Sequence, residues 1–335
     1  MKTYLANYLY NRNLISGSKC DQLNDIEYFL TKKNFAQKSK EAYEIIFEES
    51  PEPVVFSGHK FFLTKVVDPL FARVDLMEKG LHVFRMVFAR HAHQLRAKGD
   101  DDIDNQGVKV YENYFDDDTA LQLKEEILSF PKYENVQSGN RIRDAVTKTS
   151  HPALWSAVLK KQRNQLFRDC VKAVHRSTRD KAAWDHFLLT TYIQRLENRP
   201  NDGDIQKVCH SDVFYPCMKF WYFPEDVSEN DSPFMYAKGS TQITEEQLDF
   251  FYRESVAVAE DTWDRQRNKG HGEGSFRALT EDLQFMNLNL EPITVKANSL
   301  VIADTSGFHC RGQVNSTATR NALHGAIRVE TAFDA

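Results

Sequence analysis

Large apolar residues recur at helical spacing through Leu81, Phe84, Val87 and Phe88, and the run Gly99-Asp100-Asp101-Asp102 ends that pattern. The charged first hundred residues therefore predict a helical N-terminal extension or cap, residues 1–100. From Gly107 the period shortens, and Val108, Val110 and Tyr111 predict a short strand. Asp116, Asp117 and Asp118 then open a helix carrying Leu123, Ile127 and Leu128, which Phe130-Pro131 closes. Acidic side chains in a first helical turn complement the macrodipole. A further helix is predicted from Pro152 to about Lys181, its many basic residues forming a solvated face.

From His186 onward short β-rich runs take over: FLLTTYIQRL, VCHSDVFYPCMKFWYF, SPFMYAKGS, ITVKANSLVIAD and ALHGAIRVETAF. Turn residues separate them, and repeated short strands so punctuated predict a sandwich or closed barrel within an α+β chain. One charged segment, residues 244–285, interrupts the strands. Leu248, Phe251 and Val256 give its first half helical spacing, and Gly270, Gly272 and Gly274 loosen its second half. It reads as an insertion that covers a site as a lid. Residues 101–335 form the main domain.

Composition narrows the function classes. With 41% apolar and 12% aromatic residues the chain can bury a substantial core. The 43 basic and 48 acidic side chains are interspersed and leave a net charge of −5, unlike the one-sided basic excess of a nucleic-acid or membrane-surface protein. No nucleic-acid or membrane partner is expected. Five cysteines, Cys20, Cys170, Cys209, Cys217 and Cys310, form no CxxC pair and read as free thiols of a reducing compartment. The N-terminus lacks the apolar core of a secretory signal, so the expected address is cytoplasmic.

The chemistry gathers at His210, Asp212, His309 and Arg320. In the β-like run His210-Ser211-Asp212, residues two apart point to the same face and present imidazole and carboxylate side by side. His309 follows the strand-like run Ser299 to Asp304 and a turn at Gly307. Two histidines and one carboxylate make the facial set of non-haem iron(II) oxygenases, which leaves coordination positions open. Arg320, 11 residues beyond His309, can return on a neighbouring strand and hold a distal carboxylate through its guanidinium fork. The other candidates have plainer readings. His91 and His93 would sit on different faces of a helix. Cys209 and Cys310 have opposite parity to the ligands and pack outside the pocket. Phe220, Trp221, Tyr222 and Phe223 are sheet core, and His324 is structural.

The stretches HSDVFYPCMKFWYFPEDV, SPFMYAKGS and NSLVIADTSGFHCRG, with Arg320 at its distance from His309, resemble the phytanoyl-CoA dioxygenase-like family of iron(II)/2-oxoglutarate-dependent oxygenases. The resemblance runs from about Tyr192 to Arg328, and GVKVYENYFDDDTALQLKEEILSF looks like the family's entry segment. It implies a double-stranded β-helix, the jelly-roll or cupin-like barrel, with flanking helices. It also implies His210, Asp212 and His309 as iron(II) ligands, Arg320 as the holder of the 2-oxoglutarate C5 carboxylate, and O2 as co-reactant. The implied reaction oxidises an unactivated C–H bond of a small molecule by hydroxylation, desaturation or ring closure, with release of succinate and CO2. The carboxylate of Asp212 fills the position that related halogenases leave to halide.

Departures from the family pattern are the 99 positions between His210 and His309, which the 244–285 segment lengthens, and Arg311, which stands where a small or hydroxyl residue can hold cosubstrate. Gln206, by strand parity with His210, and Tyr192 and Gln194, by parity with each other, are further cosubstrate-binding candidates. Arg141, Arg143, Lys148, Tyr236 and Arg311 are candidates for the substrate pocket, and two basic residues there would suit a carboxylate-bearing substrate. A non-catalytic metal-binding jelly roll serving as a sensor or interaction module, and an oxygenase acting on a protein side chain, are the alternatives.

Overall fold

The computed structural model describes residues 4–11, 13, 15–28, 41, 44–45, 102–129, 141–159, 166, 187–200, 203–212, 217–242, 244–259 and 276–329. Two helices open the chain, α1 (Tyr4–Asn11) and α2 (Gly17–Tyr28), which pack together with Ala6, Leu9, Leu23 and Ile26 buried. The helix expected through Leu81 to Phe88 lies outside the described residues, as do His91 and His93 and most of the 1–100 extension.

The short helix α3 (Asp102–Gln106) leads into β1 (Val108–Tyr111) and then α4 (Asp117–Leu128). The helix expected behind Asp116, Asp117 and Asp118 is present, and Asp116 caps it: the carboxylate accepts from the Thr119 amide at 2.9 Å and from its hydroxyl at 2.8 Å. An amide that a helix N-terminus leaves open is thereby satisfied. Leu123 and Ile127 are fully buried, whereas Leu128 is exposed. After β2 (Arg141–Ala145), one α-helical turn at Pro152–Leu154 changes into a π-helical turn, Trp155–Leu159. The helix expected to run on from Pro152 to Lys181 thus loses its regular ladder within its first turns, and most of its remainder lies outside the described residues.

The β-rich runs form β3 (Phe187–Asn198), β4 (Cys209–Ser211), β5 (Cys217–Phe223) and β6 (Phe234–Ala237). Helix α5 (Glu245–Ala259), β7 (Phe276–Ala278), α6 (Thr280–Phe285), β8 (Leu290–Ile293), β9 (Ser299–Asp304), β10 (His309–Arg311) and β11 (Ala318–Val329) complete the order. Two antiparallel sheets result, one of six strands in the order β1-β9-β5-β11-β3-β2 and one of five in the order β7-β4-β10-β6-β8. Val108, Trp221, Phe223, Val301, Ala303 and Ala322 of the first meet Phe234, Tyr236 and Ile293 of the second in one buried cluster. The sheets therefore face each other, and their alternate residues share the space between them.

The 244–285 segment is only partly an insertion. Helix α5 buries Leu248, Phe250 and Phe251, as its apolar spacing predicts, and the two phenylalanines pack on Phe308 with ring centroids 5.7 and 5.9 Å away. Phe276–Ala278, however, is a strand of the five-stranded sheet paired with β4, and Asp282 of α6 accepts from the Leu279 amide at 2.8 Å. Alternation over three residues is too short a signal to mark such a strand in sequence. The glycine-bearing tip expected of a lid, Arg267 to Phe276, lies outside the described residues up to Phe276, where β7 begins.

Candidate metal centre

His210 of β4 and His309 of β10 are direct partners across neighbouring antiparallel strands, with ring centroids 4.5 Å apart. The Nδ1 of His210 lies 2.8 Å from the Val208 carbonyl, and that of His309 lies 2.9 Å from the Gly307 carbonyl. A carbonyl only accepts, so each Nδ1 carries the proton and each Nε2 keeps its lone pair. Asp212 closes the set. Its Oδ1 is 3.8 Å from His210 Nε2, and its Oδ2 is 3.8 Å from His309 Nε2. The three possible donor atoms lie within 4.8 Å of one another. Asp212 sits one residue beyond the end of β4, and two bonds hold that end against the turn before His309. The Asp212 amide donates to the Thr305 carbonyl at 2.9 Å, and the Ser211 hydroxyl donates to the Ser306 carbonyl at 2.9 Å.

Electrostatics suit the same chemistry. Burial is the main cause that holds the His309 imidazole down at about 4 and the His210 imidazole well below its ordinary value, with His309 the next cause for His210. Both rings are neutral at neutral pH. Burial alone would raise the Asp212 carboxyl, but Lys219, then His309 and His210, outweigh it and hold the group well below the usual carboxylate range. An ionised carboxylate and two neutral imidazoles aimed at one point form a donor set that fits a divalent first-row metal such as iron(II). The Lys219 ammonium, ion-paired with Asp212 Oδ2, shows that the site accommodates a cation.

Lys219 and Arg277 are the two residues at this site that sequence reasoning missed. Lys219 could have been found, because it is the single charge inside CMKFWYF and shares strand parity with Trp221 and Phe223. Arg277 sits opposite His210 on β7, in the stretch read as insertion, and is almost fully buried. Its guanidinium donates to the Ile205 carbonyl at 3.0 Å and helps to depress both histidines.

The remaining predicted residues divide. Arg320 shares a face of β11 with Ala322, a member of the intersheet cluster. Its buried guanidinium lies 5.6 Å from the centre of the Phe223 ring and donates to the Ser232 carbonyl. Gln194 is opposite Ala322 and Tyr192 opposite His324, so both share that face. Tyr192 stacks on His324 at 4.9 Å, His324 meets Trp221 edge-on at 5.0 Å, and Arg143 lies over Tyr192 at 4.4 Å. His324 is thus a packed interior residue. Arg141 is on the edge strand β2 of the same sheet, opposite Leu196, and Lys148 is on an exposed turn.

Three expectations need correction. Gln206 lies in a 3-10 turn, Ile205–Lys207, capped by Asp204, so the parity argument with His210 does not reach it. Tyr236 is core rather than pocket wall: it is fully buried and its hydroxyl donates to the Asp304 carbonyl at 2.7 Å. Arg311 shares the His309 face but is ion-paired with Asp204, which assigns its fork to the fold. Cys209 and Cys310 lie on the opposite face from His210 and His309, buried and outside any disulfide, and the Cys310 contact together with burial raises the Cys209 thiol well above its usual value.

The class defined by these observations is a two-sheet antiparallel β protein with flanking helices and a buried two-histidine, one-carboxylate centre. No protein-family model matches the chain, and no curated protein matches it. Solved structures that resemble it include HygX from Streptomyces hygroscopicus with nickel, 2-oxoglutarate and hygromycin B bound, at 12% identity over 67% of this chain and 84% of that one, TM-score 0.39. SnoN, a non-heme alpha ketoglutarate dependent epimerase from nogalamycin biosynthesis, matches at 12% identity over 72% and 83%, TM-score 0.45. AviO1 from Streptomyces viridochromogenes Tue57 matches at 11% identity over 71% and 94%, TM-score 0.39. With overlaps this loose, the site is read from its own residues. Among the described residues no helix is long and apolar enough to cross a membrane.

Proposed function

We propose that this chain is an iron(II)- and 2-oxoglutarate-dependent oxygenase of a small molecule, built on a jelly roll like that of the phytanoyl-CoA dioxygenase-like family. The observation that carries the reading is the convergence of His210 Nε2, His309 Nε2 and an Asp212 carboxylate oxygen, with both histidine tautomers set by their own backbone carbonyls. When bound, iron(II) with 2-oxoglutarate and O2 would supply the oxidation of an unactivated C–H bond, releasing succinate and CO2.

The protein's part is to hold and to exclude. His210, Asp212 and His309 would hold the metal. Arg320, inward on β11, takes the distal carboxylate of the cosubstrate with the charge-assisted fork that now meets the Ser232 carbonyl. Gln194 and Tyr192 share its face and serve as further contacts. Trp221, Phe223 and Phe234 line the space between the sheets and keep water from the reacting centre. Arg143, stacked on Tyr192 at the margin of the same face, suits a carboxylate on the substrate. The buried free thiols Cys20, Cys209 and Cys310 fit a reducing cytoplasm.

The test is anaerobic titration of the purified protein with iron(II) and 2-oxoglutarate, followed by succinate measurement in air. A weak visible charge-transfer band and succinate release are expected, and His309→Ala should abolish both. A wild-type protein that binds one iron yet gives neither would replace this reading with a non-catalytic metal-binding jelly roll.

A further inference from the structure

Lys219 has no part in the assignments above, yet it stands closest to the charge of the centre. It rises from the inward face of β5, in line with Trp221 and Phe223, and ion-pairs with Asp212 Oδ2. Its side chain is only 15% exposed. A divalent ion held by His210, Asp212 and His309 must share the carboxylate that this ammonium now occupies. The displaced ammonium would remain in a mostly dry site, where a charge without a counter-ion is costly. It needs an anion close to the metal.

The placement of Arg320 says which anion. Lys219 pairs with Ala326 on β11, six residues beyond Arg320. At about 3.3 Å per residue the two backbones are separated by roughly 20 Å along the strands. Both side chains reach inward from those points, and the candidate metal centre lies at the Lys219 end of the span. On the inward face of β5, Phe223 lies beside Arg320, Trp221 packs on Phe234 at 4.4 Å, and Phe234 lies 5.6 Å from the His309 ring. Lys219 follows, at Asp212. The order along the face is therefore Arg320 at the distal end, then the aromatic residues beside His309, then Lys219 at the metal centre itself.

We propose that Lys219 is the proximal carboxylate-binding residue of the cosubstrate: its ammonium leaves Asp212 when the metal binds and pairs with the metal-side carboxylate of 2-oxoglutarate, while Arg320 holds the other end. The inference rests on the oxygenase reading and deepens it. It predicts effects of opposite sign on two ligands, because Lys219 competes with the metal for Asp212 but assists the keto acid. A lysine that merely supported the fold would weaken both.

The experiment compares wild type, Lys219→Met and Lys219→Arg by calorimetric titration of metal-free protein with cobalt(II), then by anaerobic titration of the iron(II) forms with 2-oxoglutarate, read by the charge-transfer band. Lys219→Met should bind cobalt(II) at least as tightly as wild type. Its 2-oxoglutarate affinity should fall by about tenfold or more, equivalent to ~1.4 kcal/mol, and Lys219→Arg should recover most of it. Unchanged 2-oxoglutarate affinity in Lys219→Met, or a parallel loss of both affinities, overturns the proposal. Should Lys219→Met not fold, Lys219→Gln keeps the polar stem without the charge, and unchanged cosubstrate affinity there overturns it equally. Absence of the band in wild type would instead remove the oxygenase reading itself.

Discussion

His210 and His309 face each other as direct partners across the β4–β10 pair, and each directs its Nδ1 to the carbonyl two residues earlier in its own chain. The two rings are thus oriented independently, by local backbone rather than by a shared partner. A carbonyl acceptor fixes the tautomer without adding negative charge, so the only formal anion among the three candidate ligands is Asp212. Such a site is assembled before any ion arrives, which shifts the cost of ordering from binding to folding.

That cost makes the metal-free protein acid-sensitive. His309 is held at about 4 by burial, against an ordinary value of 6.5. Between those values the unfolded chain takes up a proton that the fold refuses, so stability is intact above 6.5 and declines as pH falls toward 4. The full loss from His309 is on the order of 3 kcal/mol, and His210, also depressed, adds in the same direction. Thermal unfolding of metal-free protein should show this decline, and His309→Gln should make it shallower, leaving the part due to His210. Equal stability at pH 5 and pH 7 would contradict neutral burial of these rings.

Arg320 is buried with Phe223 beneath its guanidinium. Removing a buried, hydrogen-bonded ionic contact costs about 3–5 kcal/mol, so Arg320→Ala should raise the half-saturating 2-oxoglutarate concentration by orders of magnitude. Cobalt(II) affinity should stay near wild type, because Arg320 is not among the three ligands. Normal cosubstrate affinity in this variant would place the distal carboxylate elsewhere.

What was legible in the sequence followed from local physics. Parity alone placed His210 beside Asp212, and periodicity placed Leu248 and Phe251 on the buried side of α5. The helix behind Asp116, Asp117 and Asp118 was readable because an acidic first turn and the spacing of Leu123 and Ile127 are local signals. What escaped depended on pairing between distant segments. Arg277 became visible only once β7 lay against β4, and Arg311 met Asp204 across more than a hundred positions. Gln206 misled because a 3-10 turn interrupts the alternation just before β4.

The Arg311–Asp204 pair is expected to be structural and close to the metal. Asp204 also accepts from the Gln206 amide at 3.0 Å, so one carboxylate ties the turn before β4 to the strand bearing His309. Asp204→Asn leaves a buried guanidinium short of its counter-charge and should cost about 3–5 kcal/mol. Chemical denaturation should register that loss, and metal affinity should fall with it because both ligand strands loosen. A variant of wild-type stability would show that Arg311 is satisfied by other partners.

The last prediction concerns Tyr236, whose hydroxyl is wedged between two glycines where the sheets converge. It donates to the Asp304 carbonyl at 2.7 Å, while Asp304 in turn donates its amide to the Gly107 carbonyl at 2.8 Å. A Cβ built on Gly107 or Gly307 would overlap that hydroxyl; next come the Tyr236 ring atoms at 2.9 Å for Gly107, and Ser240 Oγ at 2.8 Å and then the ring Cζ at 2.9 Å for Gly307. Gly107 also has φ +78°, which an L side chain adopts only with strain. Gly307→Ala should therefore destabilise by about 1–3 kcal/mol through overpacking, and Gly107→Ala by more. Tyr236→Phe alone should cost about 1 kcal/mol, the worth of its hydrogen bond. Removing the hydroxyl also removes the first obstacle to a methyl group at position 307. The double variant Tyr236→Phe/Gly307→Ala should then be more stable than the sum of the two single losses allows. Strict additivity in urea denaturation would mean that the hydroxyl is not what reserves position 307 for glycine, two residues before His309.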